Sequence, residues 1–176
     1  VPVFIDAEDS WYQDAIDRMA EMMMEKYNTT DPIIYNTIQM YRHDRLAFLK
    51  KSHEKAIAGN YILAIKLVRG AYMEKERERA AEKGYPSPIN DTKQDTDNVY
   101  NNGVKYCMDH IDECHLFIGT HNEHTVQMSV LYMQEKGLAP NDERVWFSQL
   151  YGMCDYLSFN LGAYEYNVAK YIPYGP

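Results

Sequence analysis

Six short runs of apolar and β-branched residues, most of them about thirty residues apart, constrain the fold of this chain more than any other feature. They begin near Val3, Ile33, Tyr61, His115, Arg144 and Val168, and stretches of helical length separate them. Neighbouring strands joined through a helix run parallel, because a tight turn cannot bring the chain back to the same end of the sheet. Repeated strand–helix units leave two architectures, a doubly wound sheet or part of a (β/α)₈ barrel.

The first run, Pro2 to Ile5, passes into Asp6-Ala7-Glu8-Asp9-Ser10. A helix follows from Trp11 to Tyr27, in which Ile16, Met19, Ala20, Met23 and Met24 recur at helical spacing. Its Met-rich stripe (Met19, Met22, Met23, Met24) is expected to pack in the core. Asp9 or Ser10 is the expected cap, which frees Asp6 to point inward. Thr30-Asp31-Pro32 opens the second run, Ile33 to Ile38, and the next helix spans His43 to Ala58 with Leu46, Leu49 and Ala56 on its apolar side. Gly59-Asn60 ends that helix, since both residues tolerate positive φ. The third run, Tyr61 to Val68, stops at Arg69-Gly70-Ala71-Tyr72. Glu74 to Lys83 reads as a solvated helix with intrahelical ion pairs, and Gly84 to Asn90 as an irregular loop. Thr92 or Asp95 caps a helix running to about Ile111. The fourth run, His115 to Gly119, ends in Thr120-His121-Asn122, and the helix Glu123 to Lys136 closes at Gly137. Arg144 to Leu150 is the fifth run, Cys154 to Gly162 a short helical or loop segment, and Val168 to Ile172 the sixth.

The polar residues choose between the two architectures. Asp6, Gln39, Arg69 with Tyr72, Thr120 to Asn122, the Leu150 region and Tyr171 all fall at the C-terminal ends of strands, where barrel enzymes build their sites. No G-x-G-x-x-G follows the first strand, as a dinucleotide-binding doubly wound fold would require. The expected fold is α/β, an incomplete (β/α)₈ TIM-type barrel of about six βα units.

Composition narrows the partners. A formal net charge of −8 and a pI near 5.2 argue against a nucleic-acid partner. No stretch approaches the roughly 18 apolar residues of a membrane span, and neither a signal peptide nor an initiating Met is present. The three cysteines, Cys107, Cys114 and Cys154, read as reduced thiols. Cys107, His110, Cys114 and His115 fit no zinc spacing, and His121 with His124 lacks the flanking Glu of a metal helix, so no metal is expected.

Lys66 to Tyr72 places two cations, a glycine and a phenol at one strand end, a mouth suited to an electron-rich planar cofactor or an anionic substrate. A buried strand with a snorkelling Lys and a surface Arg fits the same segment. Thr120-His121-Asn122 turns into a helix whose free N–H groups can seat a phosphate, and the same residues can cap that helix.

Seven segments in order resemble proline dehydrogenase, most closely its monofunctional enzymes. They are Asp6-Ala7-Glu8-Asp9-Ser10, Thr37-Ile38-Gln39-Met40-Tyr41, Leu67 to Tyr72, Gly84 to Ile89, Thr120-His121-Asn122, Gln149 to Met153 and Tyr171 to Pro176. The resemblance implies a barrel that binds FAD and oxidises L-proline to Δ¹-pyrroline-5-carboxylate, by hydride transfer to flavin N5 with electrons passed on to a quinone. It places Asp6, Tyr72, Leu150 and Tyr171 in the proline site. It puts Gln39 near the pyrimidine edge of the flavin and Lys66 beneath N5, with Val68, Arg69, Gly70 and Ala71 in the cofactor wall. Many relatives carry these two cations in exchanged positions, so either Lys66 or Arg69 is the one that reaches the flavin. Lys93, Thr120, His121 and Asn122 are implied to bind the pyrophosphate and adenosine portions.

The family's Y-L-x-R-R-x-x-E-N helix, which clamps the substrate carboxylate, would follow Pro176, and two strands with a substrate-contacting Lys would precede Val1. The 176 residues are therefore expected to be a partial catalytic barrel that alone binds FAD weakly and turns over little. A quinone partner implies a cytoplasmic protein peripheral to the inner membrane, on the matrix side if mitochondrial. Open strand edges invite association into a homo-oligomer. The competing reading is an inactive truncated scaffold that self-associates and binds at most a phosphate-bearing ligand. A hydrolase using Asp6 and Glu8 fits poorly, since the two are too close for an inverting pair.

Overall fold

The computed structural model describes residues 1–174; Gly175 and Pro176, which end the last of the family-like segments, lie outside the described residues. In chain order the elements are β1 (Val3–Ile5), α1 (Ser10–Tyr27), β2 (Ile34–Gln39), α2 (Arg45–Gly59), β3 (Leu63–Val68), α3 (Met73–Lys83), α4 (Lys93–Asp109), β4 (Cys114–Gly119), α5 (Glu123–Glu135), β5 (Val145–Leu150), α6 (Asp155–Ala163) and β6 (Val168–Tyr171). The strands form one parallel sheet in the order β1-β2-β3-β4-β5-β6. Laid flat, five inter-strand spacings would hold β1 and β6 roughly 24 Å apart. Instead the Tyr171 hydroxyl at the end of β6 donates to Asp6 Oδ2 just past β1, at 3.4 Å. The sheet is thus curled like part of a barrel, with its C-terminal strand ends converging.

The two faces of the sheet follow from period-two alternation. The outward set, Ile34, Ile38, Leu63, Ile65, Leu67, Cys114, Leu116, Ile118, Val145 and Phe147, is buried in one core with Met24, Leu49, Tyr100, Val104, Met108, Val126 and Met133 of the helices. The inward set carries an aromatic layer. Phe4 lies 4.7 Å from both Tyr35 and Phe117, and Phe117 stacks on Trp146 at 5.5 Å with rings nearly parallel. Above that layer, toward the C-terminal rim, inward side chains turn polar: Thr37, Lys66 and Ser148.

At the opposite rim a single buried residue ties the first turns together. The Asn28 amide donates to the carbonyls of Ile34 and Ile62 and its oxygen accepts from the N–H groups of Ile33 and Ile34. The helix ends largely follow local chemistry. Asn60 takes the left-handed conformation (φ 54°) that closes α2, and Thr92 with Asp95 forms a reciprocal capping box on α4.

Three local expectations fail. The Met stripe of α1 is mostly solvated: Met24 is fully buried, but Met19, Met22 and Met23 are exposed. The face that α1 turns inward is Gln13, Asp17, Ala20 and Met24, because Asp17 and Gln13 are drawn into a polar network with Asn36 and Arg45. Asp9 occupies the cap position without capping; its carboxylate accepts from Lys75 instead, while Ser10 donates to Glu76. In α3 the ion pairs leave the helix, with only the neighbours Lys83 and Glu82 paired within it, and Glu76 is fully buried.

Candidate active site

The converging strand ends enclose a cleft of about 720 Å³. Every site residue expected from the sequence lines it: Asp6, Gln39, Lys66, Val68, Arg69, Gly70, Ala71, Tyr72, Lys93, Thr120, His121, Asn122, Leu150 and Tyr171. Ala7, Glu8, Thr37, Gly119, Ser148, Gln149 and Met153 join them. Thr37 and Ser148 precede Gln39 and Leu150 by two residues, so the strand period alone pointed to them. Glu8 carried no such signal, because it sits on a loop.

One end of the cleft is built around Asp6. Its Oδ1 accepts from Lys66 Nζ at 2.6 Å and from Thr37 Oγ1 at 3.3 Å, while Oδ2 accepts the longer bond from Tyr171. Lys66 also lies 5.0 Å from the centre of the Tyr171 ring. The ammonium is held at the mouth by a carboxylate and an aromatic face. Tyr72 donates to Glu8 Oε2 at 2.9 Å, and that hydrogen bond, followed by burial, raises the phenol above its usual range.

Arg69 behaves differently. Its guanidinium donates to Asp97 at 2.8 and 2.6 Å, to Thr120 Oγ1 at 2.6 Å and to Thr125 Oγ1 at 3.0 Å, and packs 4.5 Å over the Tyr100 ring. Both cations line the cleft, but Arg69 is tied to Asp97 of α4 and Thr125 of α5, whereas Lys66 is tied to Asp6. Gly70 (φ 135°) is required beside Arg69, since an added Cβ would lie 2.6 Å from the Tyr41 ring. Gly119 keeps the inner wall thin in the same way, with Leu67 O only 2.9 Å from where a Cβ would stand.

Gln39 spends both ends of its amide on the protein. Nε2 donates to Glu8 O at 2.7 Å, and Oε1 accepts from Ala71 N at 3.3 Å, so it joins the loops after β1 and β3.

The far end of the cleft is the start of α5. Asn122 Oδ1 accepts from Thr125 N at 2.9 Å, and Thr120 Oγ1 accepts from Asn122 N at 3.1 Å, so capping is part of their work. The remaining first-turn N–H groups of a helix have no partner within it and carry partial positive charge. Lys93 Nζ stands nearby, paired with Asp97 at 2.6 Å. His121 Nε2 accepts from Leu150 N at 3.0 Å, which assigns its proton to Nδ1; burial, then Lys170, lowers its pKa and keeps the ring neutral.

The family model described as proline dehydrogenase matches residues 1–176. The chain belongs to the proline dehydrogenase family. It is 42% identical over 179 residues to human "Proline dehydrogenase 1, mitochondrial" and 39% identical over 186 residues to the Drosophila melanogaster protein of that name. All of this chain is covered in both cases, but only 30% and 27% of those relatives. The chain therefore spans less than a third of their length. Among solved structures, proline utilization A from Bdellovibrio bacteriovorus, in a form inactivated by N-propargylglycine, superposes with a TM-score of 0.93 at 24% identity, over 100% of this chain and 18% of that one. Proline utilization A from Bradyrhizobium japonicum gives 0.84 at 25% identity, over 99% and 18%. The curled six-stranded sheet is thus the fold of part of a proline dehydrogenase barrel. No helix among the described residues is long and apolar enough to cross a membrane.

Proposed function

We propose that this chain supplies much of the active site of a flavin-dependent oxidoreductase that converts L-proline to Δ¹-pyrroline-5-carboxylate and passes the electrons to a quinone. The observation that carries the reading is the meeting of Asp6, Lys66, Tyr72, Leu150 and Tyr171, from both ends of the sequence, around one hollow. The donor set suits FAD. A cation and an apolar wall of Val68, Ala71, Leu150 and Met153 fit a planar ring system, and Lys93 with the N-terminus of α5 fits a pyrophosphate. Removal of a hydride from the ring carbon beside nitrogen is chemistry that FAD supplies when bound.

The side chains then have defined tasks. Lys66 holds positive charge where negative charge accumulates on reduction, and Asp6 fixes the ammonium there at 2.6 Å. Tyr72, Leu150 and Tyr171 shape the end of the cleft in which proline is held. Asp6 already accepts from Lys66, Thr37 and Tyr171, so it serves to orient these groups and the amine proton is left to solvent. The test is a titration with FAD of a complete barrel that carries these residues together with the missing strands and the Arg-bearing helix, followed by anaerobic addition of L-proline. Quenching of flavin fluorescence and then bleaching of the visible flavin band are expected; an FAD-loaded protein whose spectrum ignores proline would overturn the reading.

A further inference from the structure

Asp97 stands behind the cleft and outside its lining, yet it holds both cations at the end where α5 begins. Its Oδ1 accepts from Arg69 Nε at 2.8 Å and Nη2 at 2.6 Å, and its Oδ2 accepts from Lys93 Nζ at 2.6 Å. The two cations are not held alike. The Arg69 side chain is 23% exposed and has Thr120, Thr125 and the Tyr100 ring as further partners, so it keeps its place whatever enters the cleft. The Lys93 side chain is 78% exposed, and Asp97 is its one ion-pair partner among the described residues. Burial alone would raise the Asp97 carboxyl, but hydrogen bonds from Lys93 and then Arg69 hold it below the usual range, so it is ionised at neutral pH. A fixed carboxylate thus restrains a mobile ammonium beside the first-turn N–H groups of α5, where an anion would bind.

We propose that Asp97 is a positioning residue that limits how tightly the cleft holds a pyrophosphate, by keeping Lys93 Nζ paired until the anion takes its place. Binding is then an exchange of ion pairs. The Lys93–Asp97 contact opens, a Lys93–phosphate contact forms, and Arg69 stays on Asp97. The carboxylate left behind keeps its two bonds from Arg69, so the exchange strands no buried charge. Two terms oppose the anion: the pair that must open, and the repulsion between Asp97 and the incoming negative charge. This rests on the reading of the cleft as a flavin site and adds to it the side chain that restrains its grip on the dinucleotide.

The experiment titrates FAD, by quenching of its fluorescence, into a flavin-free complete barrel that carries these residues, as parent and as variants. Asp97→Asn keeps an oxygen for Arg69, because a guanidinium only donates, and must then turn its amide N–H groups toward Lys93, which cannot accept them. Lys93 is released and one negative charge is gone. FAD affinity is expected to rise about five- to tenfold, the scale of a partly exposed ion pair, whereas loss of a residue that only braced the fold would weaken binding. Asp97→Glu keeps the charge and is expected to give no rise. In a Lys93→Met background the gain from Asp97→Asn is expected to shrink to about twofold, because most of the effect travels through that ammonium. Lys93→Met alone, at an exposed position, is expected to weaken binding less than about threefold, since its ammonium is already engaged. An affinity unchanged or lowered by Asp97→Asn, an equal gain in the Lys93→Met background, a rise with Asp97→Glu, or a loss of about tenfold from Lys93→Met alone overturns the role of Asp97 and leaves the flavin reading standing. A parent barrel that does not bind FAD overturns that reading, and this inference with it.

Discussion

Lys66 and Arg69 stand three positions apart at the end of one strand and carry the same charge, yet they answer to different demands. Arg69 makes four hydrogen bonds to three side chains, and each partner comes from a later part of the chain, between 28 and 56 residues away. A lysine at that position cannot reproduce the fork. Arg69→Lys is expected to cost about 1.5–3 kcal/mol of stability, read as a lowered urea midpoint; a loss below about 0.5 kcal/mol would show the network to be dispensable. Lys66 has only a partly exposed ion pair to lose, and such pairs contribute little to stability. Lys66→Met should keep the fold within about 1 kcal/mol while, under the proposed function, lowering proline turnover by a complete barrel carrying it roughly a hundredfold or more. Unchanged turnover in a folded variant would move the functional cation elsewhere. The sequence showed that both residues stand at the cleft, since strand ends collect site residues. It could not divide their roles, because the division is made by Asp97 and Thr125, whose approach depends on how α4 and α5 pack. Glu8 stood in the sequence only as a loop residue of a family-like segment; its pairing with Tyr72 depends on how the loops after β1 and β3 meet.

Helix and strand boundaries were legible wherever a terminus is decided by its own residues. Thr92 and Asp95, three apart, close a capping box, and Asn60 adopts positive φ, both as local chemistry dictates. Legibility failed where a distant partner outbids the local one. Asp9 leaves its own helix for Lys75, and the apolar stripe of α1 turns outward because Asp17 is held inward by Arg45, 28 residues on. Hydrophobic periodicity cannot see that a buried face is polar. Asn28 is a second case of a buried polar residue that organises elements, this time the end of α1 with the starts of β2 and β3. Replacing it by Ala removes the side-chain partner of two backbone N–H groups and two carbonyls around a fully buried position. Asn28→Ala is expected to cost about 2–4 kcal/mol, several times a typical surface change. A thermal midpoint within experimental scatter of the parent would mean that the strands hold their register without it.

The fold holds several titratable groups in uncharged or paired forms, and this makes the molecule's stability depend on pH in a definite direction. His53 is buried between α2 and α4, with Nδ1 against the Tyr106 hydroxyl at 2.8 Å and Nε2 without a partner among the described residues. Burial, then the facing His110 ring, lowers its pKa; burial, then Arg144, lowers that of His115. With His121 this gives three imidazoles whose folded pKa lies below the unfolded value near 6.5. Unfolding therefore takes up protons as pH falls through about 6.5, and stability present above that point is progressively lost below it. The carboxylates act in the same sense at lower pH. Burial would raise Asp44, but Arg45 and Arg42 hold it well below the usual range, and Arg144 lowers Asp142. Their contribution disappears below about pH 4, where unfolded carboxylates protonate. One effect opposes this: acidification from pH 7 toward the pI of 5.2 reduces the net charge of −8 and relieves self-repulsion. Diffuse repulsion among surface charges is screened at about 0.15 M salt, whereas the buried imidazoles are not. In that salt the urea midpoint is expected to fall between pH 7.5 and 5.5, and to fall less in a His53→Gln variant, which cannot take up a proton there. A midpoint that rises on acidification at the same salt would mean that charge relief, and not the buried histidines, governs the acid side of the stability curve.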